Sequence, residues 1–242
     1  MGEFIFMLTH DDATVKDAVD AYRTIRSTDL RYVGFKDVGV PEDVLRQVTD
    51  LAHEDGREVM LEVVSLSRGD EERSVELAMT LGVDWLLGGT HPEAVHAILP
   101  AEPIRYCPFV GTVVSHPSVL LGGADVIAAQ ARELTTHRWV HGVDLLAYRH
   151  ATEDPLALVE AVVAAIADPV IVAGSVTSTE QVRAILARGA WAFTIGSAIF
   201  EGLLPGGPDL RRQVTSVLEI VRSHPDPSEG SVVPRVPPGG GR

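Results

Sequence analysis

The sequence predicts a closed (β/α)8 barrel, on two observations. Short apolar runs rich in β-branched residues alternate with amphipathic helical segments about eight times along residues 4–223. Because a helix follows each strand, the strands are expected to be parallel and covered by helices, and eight such units match a barrel domain. An open, doubly wound sheet is the main alternative, but no GxGxxG motif follows the first strand to support a dinucleotide fold.

The elements can be placed in order along the chain. Pro41, followed by two acidic residues, is typical of a helix start, and Gly56 and Gly82 are typical of helix ends. The last helix is predicted near residues 209–223. The segment 111–124 is long for a connection, so we expect a lid or a short helix there. The predicted strands are residues 4–8, 32–36, 59–64, 84–89, 104–110, 143–148, 169–174 and 192–196.

Composition limits the classes of function. The chain has 242 residues, 45% of them hydrophobic, and a formal net charge of −14. We expect one barrel domain over residues 1–224, followed by a Pro/Gly-rich, disordered tail over residues 225–242. The acidic balance argues against nucleic acid and against anionic membrane surfaces as partners. It allows a phosphorylated small molecule, which needs only local donors.

Cysteine usage and the N-terminus predict the compartment. Cys107 is the single cysteine, which rules out an internal disulfide and fits a reducing cytoplasm. The first strand follows Met1 almost at once, without the pattern of a signal peptide. No apolar run approaches the roughly 18 residues of a membrane span. We therefore expect a cytoplasmic protein.

Two small-residue turns form the strongest motif. The seventh predicted strand ends in Gly174-Ser175, and the eighth ends in Gly196-Ser197 just before a helix start. Functional groups gather at the C-terminal ends of barrel strands. Glycine lets the backbone approach a phosphate closely, and serine hydroxyls and N–H groups supply donors. These four residues are therefore predicted to bind a substrate phosphate; the alternative is that the glycines only close tight turns.

The segment GAWAFTIGSAI, residues 189–199, resembles the phosphate-binding end of the ribulose-phosphate-binding barrels. That superfamily includes N-acetylmannosamine-6-phosphate 2-epimerase and the phosphoribosyl isomerases of histidine biosynthesis. The close similarity covers residues 170–200 and implies phosphate binding there. The epimerases carry a strand-end lysine in a context similar to that of Lys36, but on the third strand. The isomerases carry an acid at the end of the first strand, as Asp11 does here, and another on the fifth, where this sequence has none.

A lysine interrupts the second predicted strand, YVGFK. Lys16 and Lys36 are the only lysines among 20 basic residues, so a lysine in a strand needs a reason. If Val33 and Phe35 face the helices, Lys36 faces the interior, and alternation in the third strand places Glu62 beside it. The two groups either form a structural salt bridge or act on a substrate as acid and base. Lys36 as a Schiff-base nucleophile is a further alternative.

Three more candidates follow strand ends. Asp11 and His91 are predicted to take part in catalysis, although capping of the next helix is an alternative for His91. Arg149 is predicted to contact a second anionic group of the substrate. For Asp12, capping of a helix beginning near Thr14 and a role in the chemistry are equal alternatives.

These residues predict an isomerase or epimerase of carbohydrate metabolism that moves a proton next to the carbonyl of a small phosphorylated sugar. A Schiff-base aldolase or lyase and a non-catalytic phosphometabolite-binding barrel remain as alternatives. The sequence contains neither a Cys/His cluster nor HExxH, so we predict no metal and no other cofactor. The identity of the sugar and the oligomeric state, a homo-oligomer included, stay open. The candidate catalytic residues are Lys36, Glu62, Asp11 and His91, and the candidate phosphate ligands are Gly174, Ser175, Gly196 and Ser197.

Overall fold

A computed structural model describes residues 2–99 and 104–224, in which eight parallel strands form a nearly closed barrel. The strands are β1 (Glu3–Met7), β2 (Tyr32–Lys36), β3 (Glu58–Val63), β4 (Trp85–Gly88), β5 (Arg105–Cys107), β6 (Val143–Leu145), β7 (Val170–Val172) and β8 (Ala192–Ile195). They are hydrogen-bonded in the order β6-β7-β8-β1-β2-β3-β4-β5. A short parallel bridge between Phe109 and Asp144 joins β5 to β6. The predicted (β/α)8 barrel is confirmed.

Helices follow the strands and cover the outside of the barrel. Local signals set their ends: Ser178 and Gln181 form a capping box at one helix start, and Gly82 ends another in the left-handed conformation with φ 70°. The helices are α1 (Ala18–Ile25), α2 (Glu42–Glu54), α3 (Arg68–Leu81), α4 (Pro92–Ile98), α5 (Ala124–Leu134), α6 (Pro155–Ala165), α7 (Thr179–Leu186), α8 (Ser197–Phe200) and α9 (Leu210–Ser223). A 3₁₀ turn spans Ala147–Arg149 after β6.

Strand alternation divides the buried residues into two clusters. Val33 and Phe35 pack outward against the helices, as predicted, within the large cluster between barrel and helices. Ile5, Met60 and other inward residues form a smaller cluster inside the barrel. The interior is tightly filled, since a Cβ added at Gly34 would lie 2.4 Å from the sulfur of Met7.

Aromatic side chains fill the N-terminal end of the barrel. Trp85 stacks on Trp191 with ring centroids 5.0 Å apart, and Tyr32 meets Trp191 edge-on. Arg31 lies over Tyr32 and Arg105 lies over Trp85, each within 5 Å of the ring centroid. These contacts add cation–π attraction to the apolar burial. The free space of the barrel therefore lies at its C-terminal end.

Two expectations about where helices begin in the connections are wrong. The segment 111–124 contains no short helix before α5 but folds into a β-hairpin, Thr112–Val114 with Val119–Leu121. Asp12 caps no helix, because α1 begins at Ala18 with Asp17 before it. A second small hairpin, Thr9–His10 with Ala13–Thr14, occupies the predicted helix start.

The proposed tail at 225–242 lies outside the described residues. Within residues 2–99 and 104–224, no helix is long and apolar enough to cross a bilayer.

Candidate active site

A cavity of about 460 Å³ opens at the C-terminal end of the barrel. Its floor contains Lys36 and Glu62 at the ends of β2 and β3. One wall is formed by the turns after β7 and β8, and Arg149 and Pro117 also line the cavity. Pro117 belongs to the hairpin in 111–124, so that segment lines the cavity. The candidate phosphate ligands Gly174, Ser175, Gly196 and Ser197 all line the same cavity.

Lys36 is buried against carboxylates from two neighbouring elements, β3 and the Thr9–Thr14 hairpin. It is paired in register with Glu62, and the Lys36 Nζ lies 3.3 Å from the Glu62 Oε1. The same Nζ donates a hydrogen bond of 2.7 Å to the Asp12 Oδ1. The Lys36 side chain is only 6% exposed, yet it contacts two carboxylates. The ion pair predicted from alternation is therefore present, and a second acid joins it.

Asp12 connects the two cations of the site. The Arg149 guanidinium donates two hydrogen bonds to it, from Nη1 to Oδ2 at 2.6 Å and from Nη2 to Oδ1 at 2.7 Å. Such bidentate pairs fix the arginine plane as well as its position. Asp12 can turn inward because it and Asp11 both adopt left-handed backbone angles, φ 59° and 49°. Asp and Asn tolerate this conformation better than most residues.

These contacts keep the paired groups charged. Burial alone would raise the pKa of Asp12, but the hydrogen bonds from Arg149 and the charge of Lys36 outweigh it and hold that pKa well below 3.8. Burial alone would lower the pKa of Lys36, but the charges of Glu62 and Asp12 raise it above its ordinary value. Asp12 likewise outweighs the burial of Arg149 and raises its pKa. Lys36 is consequently an ammonium at neutral pH.

The turns after β7 and β8 present backbone to the cavity. Gly174 and Ser175 are both left-handed, with φ 77° and 59°. Gly196 precedes α8, whose first N–H groups, those of Ser197 and Ala198, have no preceding helical carbonyl to bond, whereas the Ile199 N–H donates to the Gly196 carbonyl at 2.9 Å. The Ser197 hydroxyl accepts a hydrogen bond of 3.3 Å from the Asp11 N–H, which leaves its own hydrogen available to a ligand.

Both glycines are required by close approach. A Cβ at Gly196 would lie 2.4 Å from the Thr9 Oγ1 and 2.7 Å from the Thr9 carbonyl oxygen. A Cβ at Gly174 would lie 2.7 Å from the Arg149 Nε. The glycines thus let the turns after β7 and β8 pack directly against Thr9, just after β1, and against Arg149.

Two predicted catalytic residues stand apart from the charged floor. Asp11 lines the rim but is 85% exposed, and it contacts His10 at 3.2 Å. His91 does not line the cavity; its Nδ1 lies 3.2 Å from the fully buried Glu71, which also accepts the N–H groups of Thr90 and His91. His91 thus lies with the loop after β4.

One group of side chains in the described residues has ligand atoms spaced as for a metal. His10, Asp11 and Glu201 place these atoms within 4.8 Å of one another. All three are partly or fully exposed, and the histidine nitrogens already contact the two carboxylates at 3.2 Å.

Sequence reasoning did not place two acids of the interior, Asp12 and Asp144. A helix was expected right after Asp12, so capping and chemistry stayed equal alternatives for that residue. Asp144 lies between Val143 and Leu145, which both pack outward, so its side chain is inward. Burial and the charge of Glu62 raise the pKa of Asp144 well above its ordinary value, against the effects of Lys36 and Arg149. An acid in an apolar strand is the same signal that drew attention to Lys36.

Comparison with known proteins bears on the fold. The family described as histidine biosynthesis protein matches residues 120–203, which include the turns after β7 and β8. Orotidine 5'-phosphate decarboxylase from Pyrococcus horikoshii OT3 has a similar fold, with a TM-score of 0.63 and 13% identity over 91% of this chain and 100% of that chain. N-acetylmannosamine-6-phosphate 2-epimerase from Clostridium perfringens has a TM-score of 0.59 and 11% identity over 81% of this chain and 86% of that chain.

Mandelate oxidase, in complex with (S)-2-phenylpropionate, is another similar structure, with a TM-score of 0.62 and 16% identity over 90% of this chain and 72% of that chain. No curated protein sequence matches the chain. At these identities the solved structures establish the fold alone. Together with the match to the histidine biosynthesis family, they confirm the predicted resemblance to the ribulose-phosphate-binding (β/α)8 barrels.

Proposed function

We propose that this protein is an isomerase or epimerase that transfers a proton next to the carbonyl group of a small phosphorylated sugar. The observation that carries the proposal is the position of the Lys36–Glu62 pair on the floor of a cavity whose wall is the glycine-serine cradle. A phosphate held by Gly174, Ser175, Gly196 and Ser197 leaves the sugar carbons toward the floor. The enzymes that this barrel resembles support the coarser proposal that the protein is an enzyme.

The roles follow from charge. Glu62 is the base that removes a proton from the carbon beside the carbonyl, and the electrons of that C–H bond form a C=C bond as the carbonyl oxygen becomes an enolate. Lys36, held as an ammonium, stabilises the enolate oxygen electrostatically. For an isomerisation, Glu62 returns the proton to the former carbonyl carbon while the hydroxyl proton of the first carbon moves to the enolate oxygen. For an epimerisation, the first carbon takes a proton on its opposite face from the Lys36 ammonium, and Glu62 then passes its proton to the Lys36 amine. Asp12 and Arg149 hold Lys36 in place.

The protonation of Lys36 weighs against the aldolase alternative. A Schiff base forms from a neutral amine, and such lysines sit in apolar surroundings or beside other cations. Lys36 instead contacts two carboxylates at 2.7 and 3.3 Å, which favours the ammonium.

Proton NMR in heavy water tests the proposal. The protein is incubated with a panel of ketose and aldose phosphates, and the signal of the C–H beside the carbonyl is followed. We expect deuterium to replace that proton in at least one compound, and no covalent adduct on Lys36 after borohydride treatment. A panel without exchange contradicts the proposal, and a borohydride adduct on Lys36 would replace it with the aldolase.

A further inference from the structure

Two buried threonines line the cavity, and the proposed chemistry does not use them. Thr194 lies on β8 and is 5% exposed, and Thr9 follows β1 and is 6% exposed. Within residues 2–99 and 104–224, neither hydroxyl forms a hydrogen bond with another residue. Unlike the sealed carboxyl oxygens of Asp144, their oxygens are reached from the cavity. The cavity therefore contains two hydroxyls whose hydrogen-bonding capacity is open to an occupant.

Both hydroxyls lie next to the turn at Gly196. Thr194 precedes Gly196 by two residues on the same strand, and its side chain faces the barrel interior because Phe193 and Ile195 pack outward against the helices. The Thr9 Oγ1 lies only 2.4 Å from the point where a Cβ at Gly196 would stand. A molecule whose phosphate is held at this turn would therefore have its first carbons beside the two threonines.

The chemistry of a hydroxyl group indicates what these threonines would bind. A hydroxyl both donates and accepts hydrogen bonds, whereas the Lys36 ammonium only donates and the Glu62 carboxylate only accepts. A buried hydroxyl without a partner is unfavourable, so an occupant that supplies hydrogen bonds there is favoured over one that supplies only C–H groups. Valine has the same shape as threonine, so filling the space does not require the hydroxyls. The carbon chain of a sugar carries hydroxyls suited to such positions.

We propose that Thr9 and Thr194 are specificity-determining residues, which bind hydroxyl groups of the substrate close to its phosphate. Through these contacts the cavity selects polyhydroxylated phosphates over alkyl phosphates of the same length. The inference deepens the proposed function and rests on it for the position of the phosphate. It concerns binding alone and needs no proton transfer.

Isothermal titration calorimetry with unreactive probes tests this inference. The probes are polyol phosphates of three to six carbons, which carry hydroxyls but no carbonyl, and alkyl phosphates of the same lengths. We expect the wild type to bind at least one polyol phosphate more tightly than the alkyl phosphate of that length. Thr194→Val and Thr9→Ala should each weaken binding of that polyol phosphate about fivefold, the size of one hydrogen bond, and leave the alkyl phosphate unaffected. Thr194→Ser and Thr9→Ser keep the hydroxyls and should keep the preference.

Thr49→Val is the matched control, because Thr49 is also buried but its hydroxyl donates to the Leu45 carbonyl on α2 at 2.9 Å. This variant should bind both kinds of probe as the wild type does. Equal losses for polyol and alkyl phosphates in Thr194→Val overturn the inference, since the substitution would then have damaged the cavity rather than a hydroxyl contact. Wild-type affinity for the polyol phosphate in both hydroxyl-free variants also overturns it.

A wild type that prefers no polyol phosphate, or binds none, contradicts the inference as well. The two proposals can fail separately. A preference for polyol phosphates without exchange of the substrate proton would contradict only the proposed function, and exchange without that preference would contradict only the role of the threonines.

Discussion

The two sides of the cavity differ in how they would interact with a charged substrate. The side formed by β1, β2, β3 and the turn after β6 carries charged side chains that neutralise one another. The side formed after β7 and β8 uses glycine turns and serine hydroxyls. A side chain such as Lys36 can change the charge of a reacting atom, whereas a backbone cradle can hold an anion with little change in net charge. Under the proposed function, the first side carries out the chemistry and the second side binds the phosphate.

Loss of the Lys36 ammonium is expected to have the largest effect and would separate the two sides most clearly. Lys36→Met leaves the buried carboxylates of Asp12 and Glu62 short of a cation, and breaking a buried pair costs about 3–5 kcal/mol. We expect the free energy of unfolding, measured with urea, to fall by about this amount, and substrate exchange to be lost. Bound phosphate, observed by phosphorus NMR, should remain.

Lys16→Met is the matched control, because Lys16 is the other lysine of the chain and is exposed. A loss of less than about 1 kcal/mol in Lys36→Met, the size expected of a surface pair, would mean that the charged side is not a tightly coupled cluster.

Gly196→Ala is expected to damage the binding side alone. The new methyl group would lie 2.4 Å from the Thr9 Oγ1, so the turn must shift from its position in the cavity wall. We expect the affinity for inorganic phosphate to fall at least about tenfold, which corresponds to about 1.4 kcal/mol, in isothermal titration calorimetry. Gly123→Ala is the control, since φ is −71° there and no atom lies within 4 Å of the added Cβ. Equal phosphate affinity in both variants would contradict the proposal that the turn at Gly196 binds phosphate.

The buried acid Asp144 is expected to affect how the free energy of unfolding depends on pH. Because its pKa is raised in the folded protein, the folded state keeps a proton that the unfolded state releases above pH 3.8. Stability from this group therefore falls as pH rises, by up to about 1.4 kcal/mol per pH unit. Asp144→Asn removes that loss, so the variant should gain stability relative to wild type between about pH 4 and 7.

Asp12 has the opposite sign and provides the comparison for this measurement. Its pKa is lowered in the folded protein, so its contribution is complete above pH 3.8 and disappears as the pH falls further. Asp12→Asn should therefore be less stable than wild type at neutral pH, in the same urea series. Parallel pH curves for wild type and Asp144→Asn would show that Asp144 is ionised in the folded protein.

The smallest effect is expected at the exposed rim. Asp11 is 85% exposed and contacts only partly buried neighbours, so solvent screens its charge. Asp11→Asn should change the rate of substrate exchange by about threefold or less. A loss of roughly a hundredfold, the size typical of a general acid or base, would instead place Asp11 in the chemistry.

The sequence predicts the two sides of the cavity unequally. The binding side is local, because Gly174-Ser175 and Gly196-Ser197 each lie within one short motif. The Lys36–Glu62 pair follows from alternation on adjacent strands. Asp12 could not be assigned, because its inward turn depends on two consecutive left-handed residues that the local sequence does not specify.

Asp144 was visible as an acid between Val143 and Leu145, but its neighbours Glu62 and Lys36 lie on strands far away in the chain. The hairpin in 111–124 was also missed, because its strands of three residues each are too short for a clear alternating pattern. Local motifs could therefore be predicted from the sequence, whereas contacts among residues distant in the chain could be identified only from the three-dimensional arrangement of the barrel.

The most direct test of the division between the two sides is a pair of readouts on Glu62→Gln. Exchange of the substrate proton for deuterium and binding of inorganic phosphate are measured on the same sample by proton and phosphorus NMR, beside wild type and Glu58→Gln. The account predicts that Glu62→Gln loses exchange and keeps phosphate binding, while Glu58→Gln keeps both. Exchange at the wild-type rate in Glu62→Gln would contradict it, because the proton would then be removed by another group.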